Sequence, residues 1–193
     1  MSIVSDISSK VRNIIGDFAE SKVDLFVYVS SNVFTLSNSN NVTITQVTVN
    51  DVSTDQLSGV DYSFDSSKSQ ITVTGLIADD IIKVYYTYND YSDTEITGYI
   101  NASLDYINMF SDKEFSVESG DTISPTPTTQ EKSLIAIVAS ILAQPNYTSY
   151  NLPNLVVRFP TKMTKEERIE QLVYKFYSTD GDLSLIEITD SGS

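Results

Sequence analysis

The hydrophobic period of this chain changes twice, and these changes limit the folds that it can adopt. Up to residue 22, apolar residues recur every three or four positions, which places them on one helix face: Val4, Ile7, Val11, Ile14 and Phe18. From residue 23 to residue 91, short runs of β-branched and aromatic residues alternate with Gly, Asn, Asp and Ser, a pattern typical of strands and turns. From residue 92 the helical spacing returns. The sequence therefore predicts an α+β protein in which a β-domain interrupts a helical bundle.

The predicted β-domain consists of several short strands at regular spacing. Strands are expected over 23–29, 33–36, 42–49, 61–64, 70–74 and 81–88, with a hairpin loop over 65–69. Short strands spaced in this way indicate a small antiparallel β-sandwich or barrel.

Three capping-box patterns mark helix starts in the rest of the chain. A Ser or Thr followed three residues later by Glu can satisfy two free amides, and this pair occurs at residues 92/95, 128/131 and 164/167. Pro145 ends the second of these helices, residues 146–153 are predicted to be irregular, and Leu155–Phe159 is predicted to be a strand or an extended arm. The predicted parts are an N-terminal helix (1–22), the inserted β-domain (23–91), the helical domain (92–177) and a C-terminal tail (178–193).

The composition argues against several classes of function. The chain has no Cys and no His, which excludes Cys–His dyads, Ser–His–Asp triads and typical zinc sites. Asp79-Asp80 and Asp180-Gly181-Asp182 are better interpreted as turns than as metal ligands. We therefore expect a non-enzymatic protein with no catalytic residue, metal or cofactor. The longest apolar run, Leu134–Ala143, is too short to span a bilayer, so no membrane association is predicted.

No charged residue occurs from Ser133 to Val157. In the predicted helix, Ala136, Ser140 and Ala143 form a stripe of small residues that would let another helix approach closely. Two explanations remain open: the helix lies in the core of its own chain, or neighbouring subunits pack around it. The predicted interface for the second explanation is Ala136, Ala139, Ser140, Ala143, Tyr147, Tyr150, Leu155, Val157 and Phe159.

Tyrosines crowd the end of the β-domain, at Tyr85, Tyr86, Tyr88 and Tyr91. Flat rings on one strand face can bind a sugar or a receptor, so an alternative function is a carbohydrate- or receptor-binding module. Ordinary filling of a half-buried strand explains the same residues.

Three segments together resemble the head–tail connector proteins of tailed bacteriophages, which are also called head completion or adaptor proteins. They are VYYTYNDYSDTEITGYINASLDYI (84–107), EKSLIAIVASILAQP (131–145) and NLPNLVVRFPTKMTKEERIEQLVYKF (151–176). The resemblance implies a homo-oligomeric ring between portal and tail that extends the DNA channel and provides a docking surface for the tail. It implies a helical bundle with an extended C-terminal segment, residues 155–193, that reaches a neighbouring subunit. It also implies portal, tail or neck proteins as partners, and a location in the virion neck after synthesis in the cytoplasm of the host bacterium.

The charge balance is consistent with a channel past which DNA slides. The net charge is −14, which opposes adhesion to phosphates, so double-stranded DNA would pass without sequence-specific binding. We predict that Glu95, Asp105, Glu114 and Glu118 face this channel.

Overall fold

The computed structural model describes residues 2–119, 121–152 and 155–179, with the backbone alone at 151, 152, 155 and 156. It divides the chain into two compact units. The helical unit comprises residues 1–17 and 93–193, and the β-unit comprises residues 18–92. The predicted domain limits at 23 and 91 lie close to these boundaries.

The described residues contain four α-helices and antiparallel sheets, so the α+β class is confirmed. The helices are α1 (Ile3–Ile15), α2 (Asp93–Phe110), α3 (Thr129–Ala143) and α4 (Lys165–Ser178). The strands of the β-unit are β1 (Glu20–Val27), β2 (Val33–Thr35), β3 (Thr43–Val49), β4 (Val52–Ser53), β5 (Asp61–Asp65), β6 (Gln70–Thr74) and β7 (Ile81–Tyr88). The strands of the helical unit are β8 (Ser116–Glu118), β9 (Thr122–Ser124), β10 (Ser149–Leu152) and β11 (Leu155–Arg158).

Helix α1 is fixed at both ends by its sequence. The Ser2 side chain accepts a hydrogen bond from the amide of Ser5, so Ser2 is the N-cap. Gly16 ends the helix in the left-handed conformation, which costs glycine little. Phe18 therefore lies beyond the helix and is exposed, so its predicted place on the buried face is wrong.

Two of the three predicted capping boxes are confirmed. Thr128 Oγ1 accepts from the amide of Glu131 at 3.2 Å, and the amide of Thr128 donates to Glu131 Oε2 at 2.8 Å. Thr164 and Glu167 form the same pair of bonds at the start of α4, again at 3.2 and 2.8 Å. These bonds satisfy amides that a helix start otherwise leaves free, which explains why both helices begin where the sequence predicts.

The β-unit contains a four-stranded sheet in the order β1-β7-β3-β4 and a three-stranded sheet in the order β2-β6-β5. Both sheets are open, so the barrel alternative is wrong for the described residues. Their buried side chains form one apolar cluster, to which the two sheets contribute Phe34, Val47, Val49, Ile71, Val73, Ile82, Val84 and Tyr86. The hairpin loop predicted over 65–69 is confirmed, because β5 and β6 pair directly on either side of it.

Two hairpins of the helical unit go beyond the prediction. Strands β8 and β9 pair between α2 and α3, where the sequence analysis names no strand. Strands β10 and β11 pair with each other, so 149–152 is not irregular, and the strand alternative for 155–159 is confirmed over 155–158. A strand of three or four residues contains too few positions to show a period, which explains why β8, β9 and β10 were missed. Of the predicted tail, 178–193, Ser178 ends α4 and residues 180–193 lie outside the described residues.

Candidate functional site

The small-residue stripe of α3 lies in the interior of the helical unit. Ala136, Ala139 and Ser140 are fully buried, and Ser140 Oγ donates to the carbonyl of Ala136 at 2.7 Å. Ala143, at the end of the helix, is half-buried. Because the chain's own residues already cover this stripe, the core explanation accounts for it, and a neighbouring subunit could not reach it without opening the fold.

The other predicted interface residues gather around the β10–β11 hairpin. Tyr150, Val157 and Phe159 are buried, and the rings of Tyr150 and Phe159 meet edge to face at 6.0 Å. Tyr147 is 58% exposed and remains available to a partner. The side chain of Leu155 is not among those described. Of this predicted interface, the structure therefore leaves Tyr147 as the residue with a large exposed side chain.

Arg168 holds the hairpin region against α4, and sequence reasoning missed it. Its guanidinium donates to the carbonyl of Met163 at 2.8 and 3.1 Å, and to those of Pro145 and Tyr147 at 2.8 Å each. The side chain lies just beyond the C-terminal end of α3, where the helix dipole favours a cation. The signal was present, since Arg168 stands four residues before Leu172 on the apolar face of α4.

Glu131 is a second buried charge of the helical unit. Lys113 Nζ lies 2.8 Å from Glu131 Oε1, and the same ammonium stands 5.6 Å from the ring centre of Tyr177. Burial raises the pKa of Glu131, but hydrogen bonds from Lys113 and Thr128 outweigh it and leave the pKa below its ordinary value. Burial, together with the neighbouring Glu131 carboxylate, raises the pKa of Tyr177. This cluster fastens the segment after α2 to α3.

The four acidic residues predicted to face DNA are all exposed. Glu95 and Asp105 lie on α2, Glu114 precedes β8 and Glu118 ends it. Asp105 shares the lining of a shallow cavity of about 210 Å³ with Phe115, Ser116 and Val117, so α2 and β8 approach each other there. The structure therefore places Asp105 beside β8, and all four carboxylates can repel a polyanion in solution.

The tyrosine-rich strand turns alternate side chains inward. Tyr86 is buried and its hydroxyl donates to Asp24 Oδ2 at 2.9 Å. Burial raises the pKa of Asp24, but the amide and hydroxyl of Ser37 and the hydroxyl of Tyr86 outweigh it and leave that pKa below its ordinary value. Tyr88 lies on the same strand face, and its hydroxyl donates to Glu20 at 2.8 Å. These contacts fit the strand-filling explanation of Tyr86.

The outer face of β1 carries an apolar row that the sequence analysis did not single out. Val23, Leu25 and Val27 are 48, 59 and 49% exposed, while Lys22, Asp24 and Phe26 turn to the inner side of the sheet. Ile81 of β7 stands directly opposite Val27 and is also exposed. The alternation of apolar residues at 23, 25 and 27 is visible in the sequence, but their exposure depends on the position of β1 in the sheet.

Neither the known protein-family models nor the curated proteins contain a match to this chain. Within the described ranges, no three acidic side chains come together in a way that could hold a metal ion. None of the described helices is long and apolar enough to cross a membrane.

Proposed function

We propose that this chain is a structural subunit of a tailed-bacteriophage virion, a head–tail connector. In this proposal, copies form a ring between portal and tail, extend the DNA channel and give the tail a docking surface. The observation that carries the proposal is the architecture: both ends of the chain contribute helices to one unit, and an all-β unit with its own core is inserted between α1 and α2. A helical part interrupted by a β-part is the arrangement that the hydrophobic periods of the sequence predict, and it supports this proposal.

The exposed acidic residues support a role in DNA passage. Four acidic side chains are exposed: Glu95, Asp105, Glu114 and Glu118. The net charge of −14 also disfavours adhesion of the chain to phosphates. Their repulsion acts over roughly 8–10 Å at physiological salt, so it requires DNA to pass close to this surface.

Charge reversal tests this part of the proposal. Changing Glu95, Asp105, Glu114 and Glu118 to Lys should leave the fold intact but make assembled particles eject DNA slowly, most visibly at low salt. A matched control carries the same charge change elsewhere, at Asp55, Asp61, Glu166 and Glu170. Equal ejection rates for the two quadruple variants would reject the assignment of these four residues to the channel.

The ring contacts themselves must come from exposed residues. Because Ala136, Ala139 and Ser140 are buried, the proposal no longer relies on the α3 stripe. Tyr147 is the predicted interface residue that can still meet a neighbouring subunit. Cyclic symmetry is the usual way in which identical subunits satisfy such contacts.

Mass photometry and negative-stain electron microscopy of the full chain, alone and mixed with the portal protein of the same phage genome, test the connector proposal. In the mixture we expect a ring of this chain bound to the portal and coaxial with it. A chain that never binds the portal and instead binds glycans on an array would favour the carbohydrate- or receptor-binding alternative.

A further inference from the structure

Strand β1 is an unprotected edge of the four-stranded sheet. It pairs with β7 over eight consecutive residues, without a bulge, and has no other strand neighbour among the described residues. It contains no proline, and the side chains on its outer face, Ser21, Val23, Leu25 and Val27, are uncharged. A long, regular, apolar edge of this kind is a ready template for another strand.

The remaining edges of the β-unit carry features that discourage pairing. Strand β2 has three residues and β4 has two. Strand β3 carries a bulge between Ile44 and Gln46. Strand β5 exposes two acidic side chains, Asp61 and Asp65. Short length, bulges and outward-facing charges are usual protections of sheet edges, and among the described strands β1 is an edge that has none of these three. Its inward-facing charges, Lys22 and Asp24, are bound by Asn38 and Ser37 of the same chain.

The free hydrogen-bonding groups of β1 belong to the same residues as its apolar row. The amide of Tyr28 donates to the carbonyl of Asp80 at 2.9 Å, on the side of β7. Backbone N–H and C=O groups alternate in direction along an antiparallel pair, so those of Phe26 and Asp24 also point toward β7. The N–H and C=O groups of the residues between and beside them therefore point outward, at Val23, Leu25 and Val27. The bonds of β7 agree with this assignment. The amide of Asn50 donates to the carbonyl of Ile81, so the backbone groups of Ile81 point away from β1. Those of the next residue, Ile82, which lies opposite Phe26, therefore point toward β1.

We propose that β1 pairs antiparallel with β1 of a second copy of this chain, about a two-fold axis at Leu25. Among the described strands, β1 is the longest at a sheet edge, and its outer face is uncharged. The edge that matches it in length and character is therefore β1 of another copy. In this register Leu25 stands opposite Leu25, and Val23 opposite Val27. All three are then hydrogen-bonded positions, which adds about six backbone bonds and joins the two apolar rows on one face.

Charge is compatible with the pairing although the chain is acidic. In the proposed register Lys22 and Asp24 stand opposite Tyr28 and Phe26 of the other copy, so no like charges oppose one another. Asp24 is held within its own chain by Ser37, and Lys22 by Asn38. The dimer is a property of the free chain and does not rest on the connector proposal, which is judged separately by binding to the portal.

Single-cysteine crosslinking of the full chain tests both the pairing and its register, because the natural sequence has no Cys. Directly opposed residues of a hydrogen-bonded pair lie about 5.5 Å apart between Cα atoms, within the range that a disulfide bridges. Under mild oxidation, Leu25→Cys should form disulfide-linked dimers at least tenfold faster than Ile77→Cys, a control in the same unit that is more exposed, at 72% against 59%. Val23→Cys alone should react slowly, since its copies lie roughly 14 Å apart along the strands, but a mixture with Val27→Cys should crosslink quickly.

Light scattering gives an independent readout. We expect the unmodified chain to reach twice its 21.4 kDa mass as concentration rises, and Leu25→Lys, but not Ile77→Lys, to remain monomeric. Equal crosslinking rates at positions 25 and 77 would overturn the proposal, as would a mass that stays monomeric at every concentration. Fast self-crosslinking of Val23→Cys would overturn the register, and with it the axis at Leu25.

Discussion

Replacing Arg168 with Met should destabilise the helical unit by about 2–3 kcal/mol. The side chain is 5% exposed and makes four hydrogen bonds to three carbonyls. A carbonyl that loses its charged donor costs about 1.5–3 kcal/mol when no water can replace the donor, and the two bonds to Met163 share a single carbonyl. Pro145 and Tyr147 are exposed, so water can replace part of the hydrogen bonding that their carbonyls lose. The two bonds to the half-buried Met163 therefore account for most of the expected destabilisation. Met retains the aliphatic packing and leaves no buried charge.

Urea unfolding followed by circular dichroism in the helical band measures this change, since the helices belong to the helical unit. Lys165→Met is the matched control: it removes the same charge from the same helix, but its contact with Glu166 is exposed and 3.5 Å long, so a loss within about 0.5 kcal/mol is expected. Arg168→Lys should fall between the two variants, because an ammonium cannot reproduce the planar fork of a guanidinium. Equal destabilisation by Arg168→Met and Lys165→Met would refute the reasoning.

Three further outcomes follow from the packing, the charges and the backbone. Ala139→Leu should overfill the core around α3 and lower the free energy of unfolding by about 1–3 kcal/mol, measured on the free chain before any assembly. Glu131 has a lowered pKa, so its contribution to stability is present above its ordinary value of 4.5 and is lost as the pH falls through the lower folded value. Glu131→Gln should therefore weaken the loss of stability in acid, and a pH series of melting temperatures with an unchanged acid slope would contradict this. Gly75→Ala should destabilise the β-unit more than Gly59→Ala. Both residues have positive φ, but only at Gly75 does an added Cβ collide with a backbone atom, the carbonyl oxygen of Gly59. Equal melting temperatures for the two glycine variants would contradict this.

The sequence was most informative where a local pattern decides the structure. The change to β-branched residues separated the β-unit from the helices, and β7 was predicted with its observed limits, 81–88. The capping boxes at Thr128 and Thr164 fixed two helix starts, because the bonds involved join residues only three positions apart.

The sequence was least informative where long-range packing decides. The uncharged part of α3, from Ser133 onward, fits a core or an interface equally well, and only the neighbours around Ala139 and Ser140 distinguish the two. The same applies to β1, whose alternation was visible at Val23 and Leu25. Whether a strand lies at an edge depends on the order of strands in the sheet, which no local pattern contains.

Arg168 shows a third kind of miss. Its spacing to Leu172 placed it on the apolar face of α4, but an arginine in such a place is usually expected to extend to solvent. The carbonyls that receive it come from the end of α3 and the turn before α4, so the site exists only in the folded helical unit.

Under the connector proposal a phage genome encodes this chain, and cryo-electron microscopy of the purified virions of that phage tests the proposal most directly. We expect density in the neck, between portal and tail, that fits the helical unit and the β-unit as repeated copies around the DNA channel, with Glu95 and Asp105 of α2 toward the channel. Virions whose neck density is fully explained by other proteins, with this chain absent or located at the tail tip, would contradict it.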